Sequence, residues 1–177
     1  MEVLSSETHS LEEVVHMLEH SKSKGIVFLS ENPEQSWKSF VYPYTLIEAA
    51  GGLVKNEKGE YLFIFRRGKW DLPKGKAEYD ESIAETAYRE VQEECGLKVL
   101  ELKEELCKTF HTYSEKGKHI LKKTHWFKMD SLSTEKLIPQ TEEDITKIKW
   151  LNAEEIREKV VGDTFGSVRE ILGLVGI

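Results

Sequence analysis

The sequence predicts a mixed α/β domain in which helices cover both faces of one β-sheet. Strand-like segments, rich in β-branched and aromatic residues and bounded by turn residues, lie at 46–55, 61–66, 99–113, 119–129 and 145–151. Segments with helical spacing of apolar residues lie at 82–95 and, as one or two helices, at 153–174. Strands that stand outside and between helices are typical of a mixed sheet with helices on both sides.

The first 44 residues are predicted to form a small α/β extension in the order helix, strand, helix. Apolar residues at helical spacing mark the first helix, namely Leu11, Val14, Val15 and Leu18. Ser10 and Glu13 have the spacing of a capping box at its start. An apolar run at 25–29 indicates a strand. Asn32 and Pro33 then supply an N-cap and a first-turn proline for the second helix.

Turn residues set the limits of the elements in the remaining chain. The Asn-Glu-Lys-Gly sequence at 56–59 predicts a hairpin between the first two strands. A basic, glycine-containing loop is predicted at 67–79. The helix that follows is predicted to begin near Ser82 and to end at Gly96, because glycine readily adopts the left-handed conformation of a helix C-terminus.

Composition and charge restrict the location and the partners of the chain. Its 177 residues, 39% of them hydrophobic and 32% charged, indicate a globular protein. No apolar run approaches the ~18 residues of a membrane span, and residues 1–10 do not resemble a signal peptide, so a cytoplasmic location is expected. Cys95 and Cys107 lack metal-type or redox-type spacing. The net charge of −7 disfavours binding to DNA, which needs a basic face.

Three carboxylates on the predicted helix are the strongest chemical signal in the sequence. Glu90, Glu93 and Glu94 have i, i+3 and i+4 spacing, so their side chains can reach one another. Carboxylate oxygens are the ligands that Mg²⁺ and Mn²⁺ prefer. A solvated acidic helix face is an equally simple interpretation, because like charges at this spacing cost only about 0.2 to 0.5 kcal/mol per pair. The helix alone leaves both interpretations open.

The helix lies within a longer motif that decides between these interpretations. Residues 75–97 follow the pattern Gly-x5-Glu-x7-Arg-Glu-apolar-x-Glu-Glu-x-Gly-apolar, with every specified position filled. The segment resembles the Nudix box, and a chance match is on the order of one in ten million. The resemblance implies the family's α/β/α sandwich with a mixed sheet over residues 45–177. Residues 1–44 lie outside the resemblance and form the predicted extension.

The Nudix resemblance implies a hydrolase that cuts phosphoanhydride bonds and requires Mg²⁺ or Mn²⁺. It assigns metal binding to the three box carboxylates and to one backbone carbonyl, with Glu93 and Glu94 also counted as catalytic: Glu90, Glu93, Glu94 and Gly75. Bound divalent ions lower the pKa of an attacking water and stabilise the charge on a leaving phosphate.

Arg89 and two glutamates outside the box helix also receive roles from the resemblance. Arg89 is expected to pair with Glu81 as a structural ion pair, while an i, i+4 pair with Glu85 remains an alternative. The family often carries its general base on a loop before a late strand. Glu142 and Glu143 occupy such a position, and Glu143 is taken as the candidate base.

Basic and aromatic residues near the box are candidates for substrate binding. Arg66, Lys74 and Lys76 could bind phosphate oxygens, and Tyr113 lies where related dinucleoside polyphosphate enzymes carry a base-stacking tyrosine. Solvated lysines and cross-strand packing of Tyr113 are the structural alternatives. The sequence at 70–76 resembles the loop of Nudix enzymes that act on dinucleoside polyphosphates and diphosphoinositol phosphates.

These observations lead to one main hypothesis and two alternatives. The expected substrate is a small nucleotide-type molecule: first a dinucleoside polyphosphate, then ADP-ribose or a nucleoside triphosphate. The rival hypothesis is a non-catalytic Nudix domain that senses a nucleotide ligand or binds a protein through residues 1–44. A role in removing RNA caps is disfavoured by the acidic balance. No membrane partner is expected. A homodimer is one of the assemblies that the sequence allows.

Overall fold

The computed structural model describes residues 1–20 and 25–177, and residues 21–24 of the predicted extension lie outside the described residues. The strands are β1 (Glu2–Ser5), β2 (Ile26–Leu29), β3 (Thr45–Asn56), β4 (Tyr61–Arg66), β5 (Lys69–Asp71), β6 (Lys74–Lys76), β7 (Leu100–Glu115), β8 (Lys118–Ser131) and β9 (Ile145–Leu151). The helices are α1 (Leu11–His20), α2 (Pro33–Val41), α3 (Ile83–Cys95), α4 (Ala153–Lys159) and α5 (Gly166–Leu174), with a 3-10 turn at Thr141–Glu143.

The chain divides into two compact units, one of which contains Met1–Thr45 together with Ser114–His119. In this unit β1 and β2 pair in parallel. The sequence predicted a single strand here, and β1 is an additional strand that its four residues did not reveal. Both predicted helix starts are present: Ser10 and Glu13 form the capping box, and Asn32 accepts a hydrogen bond from a backbone N–H of α2 at 3.1 Å.

The second unit, Leu46–Tyr113 with Ile120–Ile177, contains the main sheet. Over the described residues this sheet has seven strands, five of them in the order β5-β4-β3-β8-β7, while β6 pairs with β3 and β9 pairs with β4. It is the mixed sheet that the sequence predicted. The predicted hairpin joins β3 to β4, with Gly59 in the left-handed region at φ 81°.

Helices cover both faces of this sheet, as predicted. On one face α3 packs its apolar side into a core that includes Ala87, Val91 and Cys95. On the other face α4 and α5 contribute residues such as Ile156 and Ile171 to a second core. In the described part of the chain, no helix combines the length and the apolar character needed to cross a membrane.

The segment predicted as a loop at 67–79 contains two short strands, so that prediction was wrong in part. β5 pairs with β4 and β6 pairs with β3. Gly51 of β3 lies opposite Lys74, and a β-carbon at residue 51 would overlap with the Pro73 carbonyl. The close approach of β6 therefore depends on a glycine in the neighbouring strand, and it brings Lys74–Lys76 beside α3.

Candidate active site

Helix α3 has local signals at both ends that fix which residues it contains. Ser82 accepts a hydrogen bond from the Glu85 N–H at 3.3 Å, and the Glu85 carboxylate accepts one from the Ser82 N–H at 2.9 Å. Gly96 ends the helix in the left-handed conformation, with φ 72°. Because Ala87 and Val91 are fully buried beneath the helix, its glutamates occupy the adjoining side, next to β6.

Glu94 is a buried carboxylate at the base of the site. Its side chain is 2% exposed, and its Oε2 accepts a hydrogen bond from the Lys74 backbone N–H at 2.9 Å. Its Oε1 lies 3.6 Å from an Arg66 guanidinium nitrogen. Burial raises the pKa of Glu94 to about 7, although the positive charges of Lys74 and Arg66 oppose that rise.

Glu90 packs against the backbone of β6. A β-carbon at residue 75 would overlap with all three atoms of the Glu90 carboxyl group, so the glycine leaves the space that this carboxylate fills. Burial is the main cause that raises the pKa of Glu90. Gly75 pairs with Ala50 of β3, so the main sheet fixes the position of the backbone against which Glu90 packs.

Arg89 connects the carboxylates to the loop that precedes α3. Its guanidinium forms two hydrogen bonds with Glu81, at 2.7 and 2.9 Å. It also donates to Glu90 at 2.9 Å, to Glu93 at 3.0 Å and to the Lys76 carbonyl at 3.2 Å. The hydrogen bonds from Arg89 lower the pKa of Glu81 to about 2. Of the two partners left open by the sequence, Arg89 contacts Glu81.

The donor chemistry of this site suits a hard divalent cation. Carboxylate oxygens and a backbone carbonyl are typical ligands of Mg²⁺ and Mn²⁺. Among the residues that the structure describes, no three His, Cys, Asp or Glu side chains are already spaced to hold one metal ion. Arg89 holds Glu90 and the half-exposed Glu93, while Lys74 holds Glu94. Arg89 contacts one oxygen of Glu90 and one oxygen of Glu93, and the second oxygen of each carboxylate takes no part in these hydrogen bonds.

A cationic cluster lies beside Glu94. Lys74 Nζ contacts Asp71 Oδ2 at 2.6 Å, and Arg66 Nε lies 3.3 Å from the same oxygen. Asp71 was not singled out by sequence reasoning, although it lies within the segment 70–76. The candidate substrate residues Arg66 and Lys74 thus share one buried carboxylate, whereas the side chain of Lys76 is exposed.

The candidate base Glu143 lies on a loop that is attached to the end of α3. The backbone N–H of Ile138 donates to the Cys95 carbonyl at 2.9 Å, and that of Gln140 donates to the Glu94 carbonyl at 3.3 Å. Glu143 is exposed in the 3-10 turn that follows. Its charge contributes to the raised pKa of Glu90, so the loop brings this glutamate toward the box carboxylates.

Tyr113 was predicted to bind the substrate, whereas sequence reasoning did not single out Lys122. Tyr113 lies near the end of β7, where its ring stacks on His111 with 5.9 Å between ring centroids. Lys122 was missed, although its half-buried side chain lies close enough to Lys74 and Arg66 for their charges to lower its pKa. The run of two lysines at 122–123 gave no sign of which pKa the cluster would lower.

The α/β/α sandwich carries the box carboxylates on one helix, beside a cationic cluster. The family model for the NUDIX domain matches residues 45–170. The match covers more than half of the chain, so the chain belongs to the Nudix family, as the box predicted.

Several solved structures share this fold. A MutT protein from Methanosarcina mazei Go1 has 25% sequence identity and a TM-score of 0.58, over 73% of this chain and 92% of that chain. A C. elegans Ap4A hydrolase in a binary complex has 20% identity and a TM-score of 0.57, over 73% of this chain and 94% of that chain. The E. coli ORF135 protein has 19% identity and a TM-score of 0.53, over 75% and 89% of the two chains.

Proposed function

We propose that this protein is a divalent-metal-dependent hydrolase of phosphoanhydride bonds in dinucleoside polyphosphates. The observation that carries the proposal is the position of Glu94, a buried carboxylate held between the Lys74 amide and Arg66 on the helix that also bears Glu90 and Glu93. A buried carboxylate without a function is costly, because its charged form loses hydration. A role as a metal ligand next to phosphate-binding cations would account for this burial.

The box carboxylates would hold the metal, and the cations beside them would bind phosphate. Glu90, Glu93 and Glu94, with the carbonyl of Gly75, would bind Mg²⁺ or Mn²⁺. A bound divalent ion lowers the pKa of water and neutralises charge on phosphate oxygens. Arg89 would orient the carboxylates through its contact with Glu81.

The protein's remaining candidate residues would orient the phosphates and the attacking water. Arg66, Lys74 and Lys76 would bind non-bridging phosphate oxygens. The oxygen of the attacking water would bond to one phosphorus, while Glu143 would accept a proton from that water. The bond from that phosphorus to the bridging oxygen then breaks, and the leaving phosphate retains the bridging oxygen, so two phosphorylated products form. Tyr113 would stack on a base of the substrate.

Dinucleoside polyphosphates are the preferred substrates for two reasons. The sequence at 70–76 resembles the loop of enzymes that act on them, and an Ap4A hydrolase is among the proteins with the same fold. ADP-ribose and nucleoside triphosphates are the next candidates within the same reaction class, and a cytoplasmic location agrees with small nucleotides as substrates.

The direct test incubates the purified full chain with Mg²⁺ and diadenosine polyphosphates, ADP-ribose, nucleoside triphosphates or a diphosphoinositol phosphate. Chromatography identifies the products, and a chelator and Glu94→Gln serve as controls. We expect diadenosine polyphosphates to be cleaved fastest, with both controls inactive. Faster cleavage of another class of compound would reject dinucleoside polyphosphates as the substrate. If the folded protein binds these compounds but cleaves none of them, a ligand sensor would be favoured.

A further inference from the structure

Helix α1 of the N-terminal unit carries two histidines on its exposed side. His16 and His20 have i, i+4 spacing, which places their side chains one turn apart on the same side of the helix. Val14 is buried, and at about 100° per residue both histidines lie on the side of α1 opposite to it. Both side chains are exposed, so a ligand from solvent can reach them.

The two imidazole rings lie close together. Their centroids are 4.2 Å apart, and the angle between their planes is 17°. In a tetrahedral site with metal–nitrogen distances of ~2.0–2.1 Å, two nitrogen ligands are about 3.4 Å from each other. The helix therefore already holds the rings at nearly the separation that one metal ion requires, and rotation of exposed side chains would complete the approach.

A hydrogen bond of His20 determines which of its ring nitrogens is available to a metal. His20 Nδ1 lies 3.0 Å from the His16 carbonyl oxygen. Because a carbonyl oxygen only accepts hydrogen bonds, Nδ1 is the donor, and the neutral ring has its lone pair on Nε2. Metal-binding histidines commonly donate their other N–H to a backbone carbonyl, which orients the ring. His20 thus has the tautomer and the support that are typical of a metal ligand.

The donor chemistry of this pair differs from that of the Nudix box. Imidazole nitrogens suit Cu²⁺, Ni²⁺ and Zn²⁺, whereas carboxylate and carbonyl oxygens suit Mg²⁺ and Mn²⁺. Within residues 1–20 and 25–177, no three His, Cys, Asp or Glu side chains are placed to hold one ion. Water would therefore occupy the remaining coordination positions, and the pair would bind as a two-nitrogen chelate.

We propose that His16 and His20 form a bidentate site for a divalent transition-metal ion, with Cu²⁺ bound more tightly than Ni²⁺ or Zn²⁺, in the order expected for nitrogen ligands. The site lies outside the residues that match the NUDIX family model, 45–170. It is independent of the proposed hydrolase activity, so loss of one would not imply loss of the other.

Ring stacking without a ligand is the alternative that the experiment must exclude. Stacking needs two flat rings at this spacing, whereas chelation needs a nitrogen from each ring. His20→Phe keeps an aromatic ring and removes the ligand. The control His111→Phe makes the same change at an exposed histidine of β7, where the new ring can still stack on Tyr113.

A second control keeps the number of histidines and changes only their spacing. The double variant His16→Gln with Leu18→His places two histidines at i, i+2, which lie on different sides of a helix. Leu18 is 50% exposed, so the change is tolerated at the surface. The double variant cannot chelate one ion with both rings.

Titration of the full chain with Cu²⁺ in excess Mg²⁺, which competes for carboxylate sites, measures the affinity by calorimetry. Pulsed electron paramagnetic resonance counts the imidazoles bound to the copper. We expect two imidazoles on one Cu²⁺ in wild type and in His111→Phe. His20→Phe and the double variant should bind one imidazole and lose about 100-fold in affinity, because the second ligand no longer acts intramolecularly.

Circular dichroism without metal checks that each variant keeps the helix content of wild type, which is expected for exposed positions. The proposal is overturned if wild type shows one imidazole or none on Cu²⁺, or if His20→Phe or the double variant binds Cu²⁺ as tightly as wild type. It is also overturned if His111→Phe loses as much affinity as His20→Phe.

Discussion

The carboxyl group of Glu90 fills the space where residue 75 would carry a β-carbon, and only a glycine at that position leaves it free. The two residues belong to different elements, α3 and β6, whose relative position follows from the pairing of Gly75 with Ala50. This contact links the first glycine of the box to one of its metal-binding candidates. Residue 75 is therefore a glycine because of side-chain packing, not because of its backbone conformation.

Gly75→Ala should damage metal binding more than folding. The added methyl group displaces the end of a flexible glutamate side chain, so we expect the free energy of unfolding to fall by about 1 kcal/mol. Displacement of the Glu90 carboxylate should weaken Mn²⁺ binding by about 10- to 100-fold. Titration with Mn²⁺, followed by electron paramagnetic resonance, measures this affinity.

Gly173→Ala is the matched control for Gly75→Ala. Gly173 lies in α5, and a β-carbon there would meet no neighbouring atom. It should leave Mn²⁺ binding unchanged. Equal Mn²⁺ affinities of Gly75→Ala and wild type would show that Glu90 does not bind the metal.

Glu94→Gln should remove activity while the protein remains folded. The amide is similar in size and can still accept the Lys74 N–H, so we expect the free energy of unfolding to change by less than about 1 kcal/mol. Loss of a metal ligand should lower turnover of Ap4A by at least about 100-fold. Glu85→Gln, which keeps a residue suited to the capping box, is the control in the same helix. Turnover at the wild-type rate in folded Glu94→Gln would contradict the assignment.

Glu143→Gln tests the candidate general base against its neighbour. Removing a group that accepts a proton from water should lower kcat by about 100-fold. Because Glu143 is exposed, stability should not change measurably. Glu142→Gln is the adjacent control and should retain wild-type kcat. Similar kcat values for the two variants would reject Glu143 as the base.

Arg89→Lys should destabilise the domain. Lysine cannot form the two parallel hydrogen bonds to Glu81, so we expect a loss of about 2 kcal/mol in the free energy of unfolding. Urea denaturation at neutral pH measures this loss. Arg157→Lys in α4, where the side chain is exposed, should change stability by less than about 0.5 kcal/mol. If Arg89→Lys changes stability as little as the control does, Arg89 has no structural role of this kind.

The Glu81 pair should also give stability a defined pH dependence. The folded-state pKa of Glu81 is lowered from 4.5 to about 2, chiefly by hydrogen bonds from Arg89. A lowered carboxylate pKa contributes stability above the unfolded pKa, and this contribution disappears as pH falls from 4.5 toward 2. In urea denaturation, the difference between wild type and Glu81→Gln should shrink across that window. A difference independent of pH would contradict the pair.

Local signals explain which elements could be predicted from the sequence. Helix α3 has a capping box at Ser82 and a left-handed glycine at Gly96, and both act through neighbouring backbone groups. The short strands β5 and β6 could not be predicted, because three residues show no periodicity and β6 forms only where Gly51 permits close approach. β1 was missed for a similar reason, since its partner β2 lies beyond α1 in the sequence.

The sequence by itself determined the class of site, since the spacing of Glu90, Glu93 and Glu94 on a helix is a local property. Tertiary structure decided what each of these carboxylates meets: Glu94 is buried beneath the Lys74 amide, and Glu90 lies on Gly75. It also decided that Lys123 pairs with Glu48. Burial and charge pairing depend on which strands lie side by side, and residue spacing along the chain contains no measure of that proximity.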